Sequence, residues 1–244
     1  MKFPDQGEVF SAKNKKYQDL IFLVPPYRSS KKKLQAHIEF INNLGFDVFT
    51  FKVHDNLSLW NLPITANLEI GYQHRIAGQI ENLLNFFDRD KIVFSFGELS
   101  GAAIEAIARR QANDVRGLIC EGGPSDDLMK AALNSFRHDR HRSLLSRVIH
   151  GPAFTLLWNP TFKNTLSENL KNLPEGFKIL SVRGWKDRQI SPSDIDLVFE
   201  SHSHLDWRKL SLPSAGHLDG LKKSPTEYSL GLEKFLHEIG DRIS

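Results

Sequence analysis

The stretch FSFGELSGAAIEAIARR, residues 94–110, begins as a buried strand and ends as a helix. The apolar residues at its start belong to the run KIVFSF, which is typical of a strand covered on both faces. The segment SGAAIEAIARRQ that follows is predicted to be a helix. Between them lies a tight turn of five residues, Gly97-Glu98-Leu99-Ser100-Gly101, and the organisation of the chain follows from this strand–turn–helix unit.

The same alternation of strand and helix extends in both directions from this unit. Further strands are predicted at 8–12, 19–24, 46–53, 115–123, 178–185 and 208–215. Further helices are predicted at 33–45, 72–89, 193–202 and 224–239. Such alternation is typical of an α/β protein whose mainly parallel, doubly wound sheet carries helices on both faces. We therefore predict one domain over residues 1–244.

Residues 125–172 interrupt the alternation, because they are mostly helical in pattern. The block is too long for an ordinary connection, so we predict a helical lid inserted into the domain. It contains seven basic residues: Lys130, Arg137, Arg140, Arg142, Arg147, Lys163 and Lys171. They form either a solvated helix face or a surface for an anionic substrate or carrier. Its large apolar residues either pack the lid on the sheet or roof an acyl pocket: Phe154, Leu156, Leu157, Trp158 and Phe162.

The composition and charge of the chain exclude several classes of protein. The 244 residues are 40% hydrophobic and 25% charged, which is ordinary for a soluble globular protein. A net charge of +3 is too small to indicate nucleic-acid binding. The single cysteine excludes an intrachain disulfide. No secretory signal, membrane span or Cys/His metal cluster is apparent, so we expect a cytoplasmic protein without a metal or cofactor.

Two later loops carry polar residues in a recognisable order. Gly184-Trp185-Lys186-Asp187 follows one predicted strand, and Gly216-His217 follows the last one. Together with the turn after residue 96, this order resembles the α/β-hydrolase superfamily, whose catalytic triad runs nucleophile, acid, histidine. The resemblance extends from about Leu20 to Ile239. It implies that Asp187 orients His217 and that His217 acts as the base.

A narrower likeness concerns two segments. GFDVFTF and ELSGAAIEA are most similar to the acyl-transferase and thioesterase branch that supplies fatty acid in bacterial luminescence. This likeness implies an ester or thioester substrate.

The turn itself departs from the family pattern of small-x-nucleophile-x-small. An alignment without gaps gives the nucleophile position to Glu98, and this is the alignment we favour. A shift of one residue gives it to Leu99, between two glycines but chemically inert. A further shift gives it to Ser100, which is otherwise explained as a helix N-cap.

The oxyanion-binding loop also departs from the family. Relatives have His-Gly after the first central strand, whereas this chain has Pro25-Pro26-Tyr27, and proline has no N–H to donate. The backbone N–H groups of Tyr27 and Leu99 remain as candidate donors to a developing oxyanion.

Two classes of function follow. The first is a hydrolase of esters or thioesters in which Asp187 and His217 work with Ser100, or with water assisted by Glu98. A variant with Glu98 as nucleophile would act on alkyl halides or epoxides. The second is a binding protein that keeps the pocket but has lost the nucleophile. The Asp187–His217 pair favours the hydrolase, because a binding protein has no need of it.

Overall fold

A seven-stranded sheet forms the centre of the computed structural model. The structure describes residues 4–27, 29, 31–53, 71–110, 112–138 and 152–243, except for the side chains at 31, 32 and 136–138. The strands are β1 (Glu8–Phe10), β2 (Leu20–Leu23), β3 (Asp47–Thr50), β4 (Lys91–Phe96), β5 (Val115–Glu121), β6 (Lys178–Gly184) and β7 (Asp206–Leu212). Strands β2, β3 and β4 are buried along their whole length, which is typical of central strands with helices on both faces.

The order of the strands determines where the loops meet. It is β1-β3-β2-β4-β5-β6-β7, and every pair is parallel except β1 with β3. Strand β2 pairs with β3 on one side and with β4 on the other, so the winding reverses there. Ligands of open α/β sheets bind outside the carboxyl ends of the strands at such a reversal. The loops that follow β2 and β4 are therefore the first place to look for a site.

Helices cover both faces of the sheet. They are α1 (Lys31–Leu44), α2 (Tyr72–Asn85), α3 (Leu99–Arg110), α4 (Leu128–His138), α5 (152–158), α6 (Phe162–Lys171), α7 (Pro192–Phe199), α8 (Gly220–Lys223) and α9 (Pro225–Ile239). One hydrophobic cluster joins the sheet to α2, α3, α6 and α7. A second joins the opposite face to α1 and α9. The doubly wound α/β architecture predicted from the sequence is confirmed.

Most element boundaries agree with the predictions to within a few residues. Helix α2 is the main exception, since it ends at Asn85 instead of continuing to Arg89. The four-residue helix α8 was not predicted, because one turn gives no periodic pattern. The predicted loop at 54–67 and residues 139–151 of the predicted lid lie outside the described residues.

The single cysteine, Cys120, lies on β5 and is fully buried. Burial raises the pKa of its thiol to about 12, so the thiolate that reacts with electrophiles does not form in the folded protein at neutral pH. In the part of the chain that the structure describes, no helix has the length and apolar character needed to span a bilayer.

Candidate active site

The turn between β4 and α3 has its strained residue at Gly97. Strand β4 ends at Phe96 and helix α3 begins at Leu99. Gly97 has a φ of 55°, a conformation that favours glycine, whereas none of the next three residues has a positive φ. The Gly97 N–H donates to the backbone carbonyl of Glu121 over 2.8 Å, which fixes the turn to the end of β5.

The missing side chain of Gly97 would face His217. A Cβ built on Gly97 lies 3.9 Å from Nε2 and 4.0 Å from Cε1 of His217, and no other heavy atom outside its neighbours lies within 4 Å. The tip of the turn is therefore Gly97. This corrects all three alignments, which gave the position to Glu98, Leu99 or Ser100.

Gly97 has no side chain that could react, so none of the three alignments gives it the tip. The Leu99 alignment makes Gly97 the small residue two positions before the tip. The available signal was Ser95, a small residue two positions before Gly97, as the family pattern requires. Leu99 occupies the other flanking position, where the pattern expects a small residue.

Asp187 and His217 lie side by side at the ends of adjacent strands. Nδ1 of His217 is 2.8 Å from Oδ2 of Asp187, whose side chain is almost fully buried. The other oxygen, Oδ1, accepts hydrogen bonds from the backbone N–H groups of Gln189 and Ile190 at 2.8 and 3.0 Å. With Oδ1 occupied by these two donors, Oδ2 is placed to accept from Nδ1–H; in that tautomer Nε2 is an acceptor that faces Gly97.

Ser100 is not brought to His217. It is fully buried, and its Oγ accepts a hydrogen bond from Ser95 Oγ over 2.9 Å. The hydroxyl also lies beside the thiol of Cys120, where it lowers the thiol pKa in part. These contacts are with β4 and β5 and not with the cavity wall, so the proposed role of Ser100 as nucleophile has no geometric support.

Glu98 lines the cavity one residue beyond the tip, and both of its carboxyl oxygens are buried. The pKa of Glu98 is raised to about 8, mainly by burial and to a smaller extent by the charge of Asp127. Neither oxygen has a well-formed hydrogen bond within the described residues, although the backbone of Ser125 lowers the pKa in part. Glu98 is therefore mostly a neutral carboxylic acid at pH 7. No ion pair between Glu98 and His217 is found within the described residues.

A cavity of about 550 Å³ opens beside Gly97 and His217. Three aromatic rings on its wall pack together: Tyr27 lies 5.7 Å from Trp158 and 6.4 Å from Phe154, measured between ring centroids. The other large residues predicted as a roof lie elsewhere. Phe162 packs on α3 near Gly101, and Leu156 is exposed.

A second histidine–carboxylate pair, which the sequence did not indicate, lies behind this wall. His37 lines the cavity, and its Nε2 is 3.3 Å from Oε2 of Glu121. The Tyr228 hydroxyl donates to the same Oε2 over 2.6 Å. The backbone carbonyl of Glu121 also accepts the hydrogen bond of the Gly97 N–H, so this cluster helps to fix the turn to the end of β5. The three residues come from distant parts of the chain, so no local motif could have shown them.

Two of the described basic residues of the predicted lid make ion pairs within the chain. Lys130 pairs with Asp194 and Lys163 with Asp126, each over 2.8 Å. Four of the seven lie beyond the described side chains: Arg137, Arg140, Arg142 and Arg147. Within the described residues, no group of three potential metal ligands comes together.

Comparison of the sequence with protein-family models and with curated proteins found no match. Solved structures do match in fold. An esterase from Pyrococcus furiosus superposes with a TM-score of 0.66 at 12% identity, covering 96% of this chain and 90% of the other. A bromoperoxidase from Bacillus anthracis gives 0.66 at 12% identity, covering 95% and 94%. An esterase from Exiguobacterium antarcticum gives 0.63 at 12% identity, also covering 95% and 94%.

These structures match nearly the full length of this chain, and this chain spans nearly all of theirs. The chain has the α/β-hydrolase fold.

Proposed function

We propose that this protein hydrolyses an ester or thioester by direct attack of water, which is held above Gly97 and activated by His217. The observation that carries the proposal is the position of the imidazole. Nε2 of His217 lies 3.9 Å from the place of a Gly97 Cβ, with nothing else near that place. A water bound between Gly97 and the imidazole can lie within the ~2.6–3.2 Å of Nε2 that proton transfer requires.

The Asp187–His217 pair supports the role of base. Asp187 keeps the proton on Nδ1, so Nε2 is free to accept a proton from water. The water oxygen attacks the carbonyl carbon while its proton passes to Nε2. When the tetrahedral intermediate collapses, the proton passes from Nε2 to the leaving alcohol or thiol. The products are a carboxylic acid and that alcohol or thiol, and no acyl-enzyme forms.

The oxyanion donors follow from the position of the tip. In this fold, one donor is the N–H of the residue after the nucleophile position, which here is Glu98 and not Leu99. The second candidate is the N–H of Tyr27, in the loop after β2. The carboxyl group of Glu98 is not proposed as a base, because it is mostly protonated at neutral pH.

The cavity suggests the kind of acyl group. Its wall is mainly apolar, and α4 and α5 contribute Leu128, Ala131, Phe154 and Trp158. We assign α4 and α5 to a lid that covers an apolar acyl chain, whereas α6 packs on α3. Lys130 and Lys163 already pair with carboxylates of this chain, so these two lysines give no support for an anionic substrate.

Replacement of Gly97 by alanine tests the mechanism. The added methyl group occupies the space assigned to water, so we expect p-nitrophenyl acetate and acyl-thioester hydrolysis to fall by at least ~10²-fold, the contribution typical of general base catalysis. Gly176→Ala is the matched control. Gly176 also has a positive φ, 72°, and an open Cβ position, so this variant carries the same backbone strain away from the site. Equal rates in wild type and Gly97→Ala would disprove the mechanism.

A binding protein is the second candidate, and the absence of a nucleophilic side chain at the tip favours it. Gly97→Ser separates the two. If the wild type hydrolyses no ester faster than His217→Ala, while Gly97→Ser gains hydrolysis and is labelled by a fluorophosphonate, the site is intact but non-catalytic. Glu98→Ser is the control, because its hydroxyl lies one residue past the tip and should remain unlabelled.

The carboxylate-nucleophile alternative loses its basis. Attack on an alkyl halide or epoxide requires a carboxylate at the tip of the turn. Glu98 follows the tip, and its buried oxygens are mostly protonated.

A further inference from the structure

Leu218, the residue after His217, has an unusual backbone conformation. Its φ is 54°, in the left-handed region that a branched side chain rarely adopts. The turn that it belongs to runs from Gly216 to Asp219 and is closed by a hydrogen bond from Gly216 N–H to Asp219 Oδ1 over 2.6 Å. Turns with a positive φ at the third position normally have glycine or asparagine there. A leucine at this position indicates that contacts of its side chain compensate for the unfavourable backbone conformation.

The side chain of Leu218 occupies the space next to Gly122, where a larger residue would place its side chain. A Cβ built on Gly122 would lie 2.8 Å from Cδ2 of Leu218 and 3.5 Å from Nδ1 of His217. Leu218 therefore packs directly on the α-carbon of Gly122, and the imidazole lies next to it. Leu218 also contacts the hydrophobic cluster shared by α1 and α9.

The end of β5, which Gly122 follows, also contacts the turn that carries Gly97. Gly122 directly follows Glu121, whose backbone carbonyl accepts the hydrogen bond of Gly97. The N–H of Gly122 in turn donates to Val182 of β6 over 2.8 Å. The end of β5 thus contacts both the tip of the turn and the loop of His217, so it sets the separation between Nε2 and Gly97.

We infer that Leu218 is a positioning residue, which fixes the imidazole of His217 over Gly97 by packing its side chain on Gly122. Backbone strain at functional sites persists only where surrounding contacts compensate for it. Here the compensating contact is made by the strained residue itself. Asp187 fixes one nitrogen of the ring, and Leu218 fixes the backbone from which the ring extends.

The packing of Leu218 affects both the position of the imidazole and the rate of hydrolysis. The effect on the imidazole is independent of any reaction. The effect on turnover rests on the proposed hydrolysis, because it assumes that His217 is the base. The experiment therefore needs one measurement of each kind.

The test compares Leu218→Ala, Leu218→Gly and Leu221→Ala. Leu221 is also a half-buried leucine packed on the same cluster, so its variant loses similar packing without touching Gly122. We expect Leu218→Gly to melt at a higher temperature than Leu218→Ala, because glycine relieves the strain at positive φ. In both Leu218 variants, but not in Leu221→Ala, the ring nitrogen signals of ¹⁵N-labelled His217 should shift or broaden.

The rate of ester hydrolysis should change with the position of the imidazole and not with the melting temperature of the variant. We expect kcat to fall at least tenfold in Leu218→Gly, because the ring moves. KM is not the diagnostic quantity, because Leu218 also lines the cavity. Unchanged His217 signals in Leu218→Gly would overturn the inference whether or not the protein is a hydrolase. Altered signals with no ester turnover in the wild type would instead leave the inference standing and remove the proposed function.

Discussion

At the scale of single residues, Glu98 makes the stability of the fold depend on pH. The pKa of its carboxyl is about 8 in the folded protein, against 4.5 for an unperturbed glutamate. Between these pH values the folded protein holds a proton that the unfolded chain has released. The free energy of unfolding therefore decreases as pH rises from 4.5 to 8, by up to about 1.4 kcal/mol per pH unit.

Glu98→Gln should remove this dependence. Glutamine keeps the shape of the side chain and has no proton to lose. We expect the variant to become progressively more stable than the wild type as pH rises from 4.5 to 8, with no further change above that. Urea denaturation at a series of pH values measures the difference. Parallel curves for the two proteins would show that Glu98 is ionised in the fold.

At the residue scale, the sequence indicates Asp187 and His217 because each is a titratable residue in a loop after a strand. The structure brings their side chains within 2.8 Å, and their catalytic roles stay predictions. Gly97 was missed because its feature is a backbone angle and an absence of atoms. The packing of Leu218 on Gly122 was missed because it joins residues 96 positions apart.

At the scale of elements, helix α7 has the best-defined beginning. Ser191 accepts a hydrogen bond from Asp194 N–H, and Asp194 accepts one from Ser191 N–H, which is a capping box. The cap directly follows Ile190, whose N–H holds Asp187. The start of α7 and the orientation of the acid therefore depend on the same few residues.

Ser191→Ala should destabilise the protein by about 1 kcal/mol, the usual effect of removing a serine cap. Chemical denaturation measures the change. Ser203→Ala, at an exposed serine before β7, is the control and should be nearly neutral. A loss of stability shared by both variants would mean that the cap contributes nothing specific.

The sequence predicted elements well because strands and helices have different periods. KIVFSF was predicted with its observed boundaries, since an apolar run between charged residues and a glycine is unambiguous. The order of the strands did not follow from the sequence, because β2 pairs with strands on both sides and no local pattern records that. Helix α2 ends early, and Phe87 beyond it packs against Phe49 of β3 at 4.8 Å between ring centroids.

At the scale of the whole molecule, Tyr228 ties the last helix to the centre of the sheet. Its hydroxyl donates to Glu121 across 107 positions of sequence, and burial raises the pKa of the phenol. Among the described residues, removing this donor leaves the buried carboxylate of Glu121 with His37 as its side-chain partner. We expect Tyr228→Phe to lower the free energy of unfolding by about 1–3 kcal/mol.

Tyr17→Phe provides the comparison. Tyr17 is equally buried and stacks on Phe46, but its hydroxyl makes no hydrogen bond within the described residues. Its replacement should change stability little in the same denaturation experiment. If both replacements had the same effect, the hydroxyl–carboxylate contact would not contribute measurably.

The reactivity of Cys120 reports how often the central sheet opens. The thiol lies in the middle of the sheet and is the only one in the chain, so a disulfide reagent finds one target per molecule. Burial and a pKa near 12 prevent reaction until β5 separates from its neighbours. The rate of modification under native conditions therefore measures how often the sheet opens, as hydrogen exchange does for amides. Every variant described above can be ranked this way without an added label.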